Sequence, residues 1–184
     1  TFHAGGTASV GGDITQGLPR VEEIFERRKP ASPAAIAKGD GFVLDVKEVG
    51  KDRIITVSGG AGSKTKKQIE YVFPHTRTPL VKVGQEVKKG QLITDGSADL
   101  SELFKYAGKE RTQEYMIGQI NKIYELQGEP ISRKHIEVIV RQMFSRVRVA
   151  ESGDTTLTVG DIVEIDAFEE ANEALGNDKI DVDF

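Results

Sequence analysis

Lys82-Val-Gly-Gln-Glu-Val-Lys-Lys-Gly-Gln-Leu-Ile-Thr-Asp-Gly96 is the stretch that decides the fold. Gly84, Gly90 and Gly96 recur every six residues, with Val81, Val83, Val87, Leu92 and Ile93 around them. Short strands that meet tight corners at glycine close a small barrel or sandwich. The residues before it agree. Phe42–Val49 is rich in Val and Phe, Arg53–Ser58 holds an Ile-Ile-Thr-Val run, and Gln68–Phe73 alternates Ile69, Tyr71 and Phe73. Turns at Gly50 and Ser58–Gly62 separate these strand signals. The block 34–98 therefore reads as β, with a barrel-sandwich-like unit over 39–98.

From Asp99 the period changes. Asp99 caps a short helix through Phe104, and Lys109–Gln127 is a long helix with Met116, Ile117, Ile120, Ile123 and Tyr124 as its apolar stripe and Gly128 as its stop. Lys134–Ser145 is a second helix, N-capped by Ser132. Ile136, Ile139, Val140, Met143 and Phe144 give it a buried face expected to pack on the first. Arg141 lies off that stripe, one turn after Glu137. Val147–Val149 and Asp161–Ile165 read as a strand pair, and Asp166 as the cap of a helix over Ala167–Leu175 that Gly176 ends. At the other end, 1–12 is Gly-rich and expected to be mobile. Asp13 and Thr15 suit a turn or cap, and Pro19 a first helical turn. Arg20–Arg28 is an amphipathic helix on Val21, Ile24 and Phe25, stopped by Pro30 and Pro33. The expected class is α+β, a barrel-sandwich-like β unit packed with a helical segment between a mobile Gly-rich N-terminus and an acidic tail. The expected divisions are 1–12, 13–38, 39–98, 99–146 and 147–184.

The chain has 184 residues, 38% hydrophobic and 29% charged, enough to bury a core. No apolar run approaches the ~20 residues of a membrane span, no secretory leader opens it, and the lack of cysteine is compatible with the cytoplasm. It opens on Thr1 rather than Met, which reads as a piece of a longer chain. With no cysteine, disulfides, iron–sulfur clusters, thiolate zinc and a Cys nucleophile are excluded. The three histidines, at 3, 75 and 135, are too scattered for a His-built metal site. The net charge of −4 hides a split: residues 151–184 hold 11 acids and one base (−10), leaving 24 bases and 18 acids (+6) on 1–150. A basic body of this kind suits a polyanion, or is simply a solvated surface.

Several motifs fail on their chemistry. Gly59-Gly-Ala-Gly-Ser-Lys-Thr65 suggests a phosphate loop, but 58 and 63 are Ser where that motif needs Gly, and a strand follows where it needs a helix. Lys64-Thr-Lys-Lys67 reads better as a basic hairpin tip. The glycine spacing is shared with biotinyl and lipoyl carriers, yet neither Met-Lys-Met nor Asp-Lys-Ala occurs. Asp181-Val-Asp183 supplies too few oxygens for Mg2+ and reads as part of a disordered acidic end. His75 falls in a loop and His135 opens a helix, so no Ser/His/Asp arrangement forms.

Thr1-Phe-His-Ala-Gly-Gly6, Asp13-Ile-Thr-Gln-Gly-Leu-Pro-Arg-Val21, Tyr124-Glu-Leu-Gln-Gly128 and Lys134-His-Ile-Glu-Val-Ile-Val-Arg-Gln-Met143 resemble, in order and spacing, the largest (beta-prime) subunit of bacterial DNA-directed RNA polymerase. The resemblance implies a piece running from within the trigger loop (1–12) through the jaw (the β unit), ending before the clamp-closing segment. It implies that His3 approaches the phosphates of the incoming nucleoside triphosphate and that Gly5 and Gly6 act as a hinge. It implies nucleotidyl transfer in the whole enzyme. The catalytic Mg2+ is bound elsewhere, because the Asp-rich metal motif is not in this sequence, and no metal site or cofactor is expected in the chain itself. The piece alone is expected to be inactive. The implied partners are the beta, alpha, omega and sigma subunits and downstream duplex DNA, in the nucleoid and away from membranes. Arg20, Arg27, Arg28, Lys29, Lys64, Lys66 and Lys67 are the DNA-phosphate candidates. The competing expectation is a free-standing, non-catalytic module that binds protein or nucleic acid.

Overall fold

The computed structural model describes residues 17–59, 68–153, 157–175 and 182–183. The Gly-rich 1–12 segment, the basic tip at 64–67 and residues 176–181 of the tail lie outside the described residues.

The β unit is a curled antiparallel half-barrel. Its strands are β1 (Gly41–Val49), β2 (Asp52–Gly59), β3 (Gln68–Pro74) and β4 (Glu86–Val87), in the order β3-β2-β1-β4. The register steps between Val43, opposite Val57, and Asp45, opposite Thr56, so Leu44 is an extra residue. This bulge reverses the alternation of β1. Val43 and Val46 both turn inward, three positions apart, and join Ala37, Ile55, Val57, Tyr71, Phe73, Val81, Val87 and Ile93 in the core.

The six-residue glycine repeat is two copies of one turn. Gln85 N–H donates to the Lys82 carbonyl and Gln91 N–H to the Lys88 carbonyl, both at 3.0 Å. Gly84 (φ 83°) and Gly90 (φ 79°) hold the positive φ that the third position of a type II turn needs. In each copy the glutamine Oε1 accepts the N–H of the lysine that opens the turn, at 3.0 and 3.1 Å. Each turn also clasps one facing residue through two backbone bonds, Val43 of β1 in the first copy and Ala37, before β1, in the second. Bridges from Ile36 to Leu92, Pro79 to Thr94 and Pro33 to Ser97 continue the curl. Gly96 (φ 108°) leaves room for the Arg77 guanidinium, with which a Cβ would collide.

The helical part contains α1 (Leu18–Phe25), α2 (Leu100–Ala107), α3 (Lys109–Leu126), α4 (Arg133–Met143) and α5 (Ile165–Leu175). A second sheet, of β5 (Arg146–Val149), β6 (Ile162–Glu164) and β7 (Val182–Asp183), has the order β6-β5-β7. As the sequence predicts, α3 packs on α4. Met116, Ile117 and Ile120 meet Ile136, Val140 and Phe144, with Ile24, Leu100 and Val147 closing the cluster. Each such fully buried side chain is worth about 1.5–3 kcal/mol relative to exposure. Ile36, Ala98 and Leu103 form a third cluster, flanked by Leu92, Tyr106, Ala107 and Tyr115, that joins the β unit to α2 and α3. The Tyr115 hydroxyl accepts the Ala98 N–H at 2.8 Å across that seam.

Several expectations need correction. Ile139 is 49% exposed, because it sits at the edge of a stripe narrower than the sequence suggested. Ser132 holds the N-cap position of α4 without a side-chain bond, and Asp166 lies inside α5 rather than capping it. Helix α1 ends at Phe25, not Arg28. Arg28 N–H donates to the Glu23 carbonyl and Arg27 N–H to that of Ile24, with Arg27 left-handed at φ 55°. This is the Schellman arrangement. Helix α3 closes the same way through Gly128 (φ 76°), with Glu129 N–H on the Tyr124 carbonyl. Finally, Val182–Asp183 form a short strand, β7. They pair antiparallel with β5, Val149 opposite Val182 and Arg148 opposite Asp183, because β5 would otherwise leave an unpaired edge.

Candidate functional site

The site residues singled out from sequence fall into three groups. His3, Gly5, Gly6, Lys64, Lys66 and Lys67 lie outside the described residues. The described strands on either side of residues 64–67, β2 and β3, pair antiparallel.

Arg27, Arg28 and Lys29 come together where the end of α1 meets the start of α2. Arg27 Nη2 donates to Ser101 Oγ at 3.4 Å, Arg28 Nε pairs with Glu26 at 2.5 Å, and Lys29 Nζ lies 3.9 Å from Asp99 Oδ2. Asp99 also caps α2, its Oδ1 accepting the Ser101 N–H at 2.9 Å. Arg28 and Lys29 are well exposed, and their pairs are surface pairs of small energy. They present positive charge to solvent and can meet a phosphate without opening the fold.

Arg20 is a correction. It is 5% exposed and belongs to the buried face of α1 with Val21 and Ile24. Its Nη1 holds Glu23 Oε2 at 2.8 Å, while its Nε has no hydrogen-bond partner among the described residues. A buried cation of this kind anchors a helix and is not a surface ligand for DNA. The clue was available, since positions 20, 21 and 24 share one helical face and the acid at 23 lies within a turn.

No catalytic constellation stands out among the described groups. His75 sits at the end of β3, its N–H 2.9 Å and its Nδ1 3.0 Å from the Lys51 carbonyl, and His135 is exposed in the first turn of α4. Among the described residues no three His, Asp or Glu side chains converge where they could hold a metal ion. No described helix is long and apolar enough to cross a membrane. An open cleft of about 680 Å³ beside the start of α3 is lined by Lys109, Arg111 and Arg141 together with Glu110 and Glu169. With three cations against two acids, its lining carries one net positive charge.

The titration shifts are structural. The Lys47 ammonium, 2.9 Å away, holds the Asp45 carboxyl below its usual value, and Asp45 in turn raises Lys47. Burial pushes the Tyr71 phenol up, partly offset by the Lys38 N–H that donates to its oxygen at 2.8 Å. Sequence reasoning passed over Lys82, Lys88 and Lys89 on the two glycine turns, and Lys38 next to the Ala37 that the second turn clasps. The lysine opening each repeat was the signal.

Comparison with known proteins bears on what these surfaces serve. A family model described as RNA polymerase Rpb1, domain 5, matches residues 1–165. The chain is 46% identical over 176 residues to the DNA-directed RNA polymerase subunit beta' of Exiguobacterium sibiricum, covering 95% of this chain and 14% of that protein. It is 46% identical over 173 residues to the subunit of the same name from Shouchella clausii, covering 94% and 14%. It is 41% identical over 174 residues to that of Bacillus subtilis, with the same two shares. The chain thus spans about one seventh of the length of these relatives.

Proposed function

The chain belongs to the RNA polymerase Rpb1 domain 5 family, and from that premise we propose that it acts as a segment of a bacterial RNA polymerase beta-prime subunit in DNA-templated RNA synthesis. The observation that carries this reading is the match over residues 1–165, reinforced by relatives that align over almost the whole chain and bear that subunit's name. Its partners are then the remaining beta-prime chain, the beta, alpha, omega and sigma subunits, downstream duplex DNA and the incoming nucleoside triphosphate. It works in the cytoplasm, at the nucleoid.

Within that assembly, residues 1–12 serve as the C-terminal arm of the trigger loop, 13–38 as a connector, 39–98 as the jaw, 99–146 as its helical support and 147–184 as the closing sheet, helix and tail. His3 places an imidazole at the nucleotide's phosphates, where positive charge or a proton donor lowers the cost of charge growing in the transition state. Gly5 and Gly6 let the arm fold and unfold in each cycle. The Mg2+ that phosphoryl transfer uses is held by the rest of the subunit, because the Asp-rich metal motif of the family is not in this sequence. Arg28 and Lys29, with Lys64, Lys66 and Lys67, steady the DNA through its phosphates, which positions without reading sequence. Alone, the chain lacks most of the active site and adds no nucleotides.

The test is a chimera. The matching segment of the Bacillus subtilis subunit is replaced by this chain, the polymerase is assembled, and single-nucleotide addition is timed. The expected result is an active chimera that His3→Ala slows by about a hundredfold, with no synthesis by the chain alone. A chimera that assembles but makes no RNA would overturn the assignment. An unchanged rate in His3→Ala would remove His3 from it.

A further inference from the structure

We propose that the corner of the β unit formed by Lys38, Lys82, Lys88 and Lys89 is a contact surface for the phosphate backbone of duplex DNA. This rests on the polymerase reading above and names a surface of the jaw that the resemblance did not supply.

The fold builds this corner. Lys82 and Lys88 open the two equivalent turns, and the side chain of the glutamine three residues on holds each lysine's backbone N–H. The second turn clasps Ala37 through Gly90 N–H and Gln91 O, both at 2.8 Å, which sets Lys89 across from Lys38. Lys89 N–H in turn donates to Asp40 Oδ1 at 2.8 Å. All four lysines are exposed. None has a carboxylate within 4.0 Å among the described residues, whereas Lys47 on β1 is paired with Asp45 and Arg53 on β2 with Glu48. Two acids lie nearby: Asp40, whose carboxylate already serves the Lys89 N–H, and Glu86, opposite Phe42 on β4. Positive charge is left over on a rigid frame.

Composition separates a nucleic-acid partner from a protein one. Protein interfaces concentrate aromatic residues and Arg and are depleted in Lys. This corner offers four Lys, two Gln and the exposed Val83, with no exposed aromatic or Arg in the two turns. Lysines on flexible stems act as point charges for phosphates. The side-chain amide nitrogens of Gln85 and Gln91 are neutral donors beside them.

The test measures binding of the full chain to a labelled DNA duplex across a salt series, comparing wild type with Lys82→Gln/Lys88→Gln/Lys89→Gln. A control, Lys105→Gln/Lys122→Gln/Lys134→Gln, makes the same charge change on the helices. Circular dichroism checks that both variants fold. If all three corner lysines meet phosphates, the slope of log affinity against log salt becomes shallower by up to about 2.7 in the corner variant, and the control stays near wild type. Equal slopes for wild type and corner variant would overturn the proposal. So would equal losses in both variants, which would report net charge alone, or a wild-type chain that does not bind even at low salt. None of these outcomes touches the chimera test, so failure here is distinct from failure of the polymerase reading.

Discussion

Gly84→Ala and Gly90→Ala are the same chemical change at equivalent positions of a repeated turn, and the fold makes them unequal. Both glycines hold a φ near +80° (83° and 79°), so a Cβ at either costs about 1–2 kcal/mol of backbone strain. At Gly84 that Cβ meets nothing within 4 Å, and strain is the whole cost. At Gly90 it collides with the Cβ of Ala107 and lands 2.6 Å from its Cα. Ala107 is the last residue of α2, so the neighbour that must give way is helix backbone rather than a flexible side-chain end. Overpacking of this kind adds about 1–3 kcal/mol. Gly90→Ala is therefore expected to lose about 1–3 kcal/mol more than Gly84→Ala. With a urea m-value of about 2 kcal/mol/M, a 2 kcal/mol gap separates their midpoints by about 1 M. Urea unfolding followed by tyrosine fluorescence reads this cleanly, as the chain has four Tyr and no Trp. Equal midpoints would refute the seating of the second turn against α2, and with it the packing of the β unit on the helices.

Truncating Phe144, which is 1% exposed, to Ala should cost about 3–5 kcal/mol. Ile139→Ala should stay within about 0.5–1 kcal/mol because its side chain is half in water, and thermal denaturation of the pair checks the corrected stripe. Glu23→Ala strands the buried Arg20 and is expected to cost about 3 kcal/mol. Arg20→Leu/Glu23→Leu should recover much of that loss, and chemical denaturation of both variants would show it. Alkaline titration at the tyrosinate band should find a late phenol that Tyr71→Phe removes. Because the folded value lies above the ordinary one near 10, the contribution of Tyr71 is complete below that pH and is lost as pH climbs through the folded value. A Tyr71→Phe spectrum with the late phenol still present would contradict the assignment.

What the sequence determined by itself was local. The glycine repeat set the turns, because positive φ is a property of the residue in place. The 3.6-residue stripe of α3 placed Met116, Ile117 and Ile120 in the core, and Gly128 ended that helix. The long literal strings of the N-terminal segment and of α4 carried the family before any fold was described. Tertiary structure decided whatever depended on residues far along the chain. Arg27 takes a left-handed cap that its type does not announce, and it stands where its guanidinium reaches Ser101. Arg20 shares one helical face with Val21 and Ile24 in sequence, and it is α1 lying on α3 that turns this face inward. The extra residue at Leu44 shows only when β1 is set against β2. Val182–Asp183 becomes a strand only because β5 presents an open edge. The lysine corner depends on the same kind of distance. Lys38 and Lys89 are strangers in sequence, and the backbone bonds between Ala37 and the second glycine turn make them neighbours. A charge acts through space, so its partners are set by which segments the core draws together, and that information lies in packing rather than in any single stretch of chain.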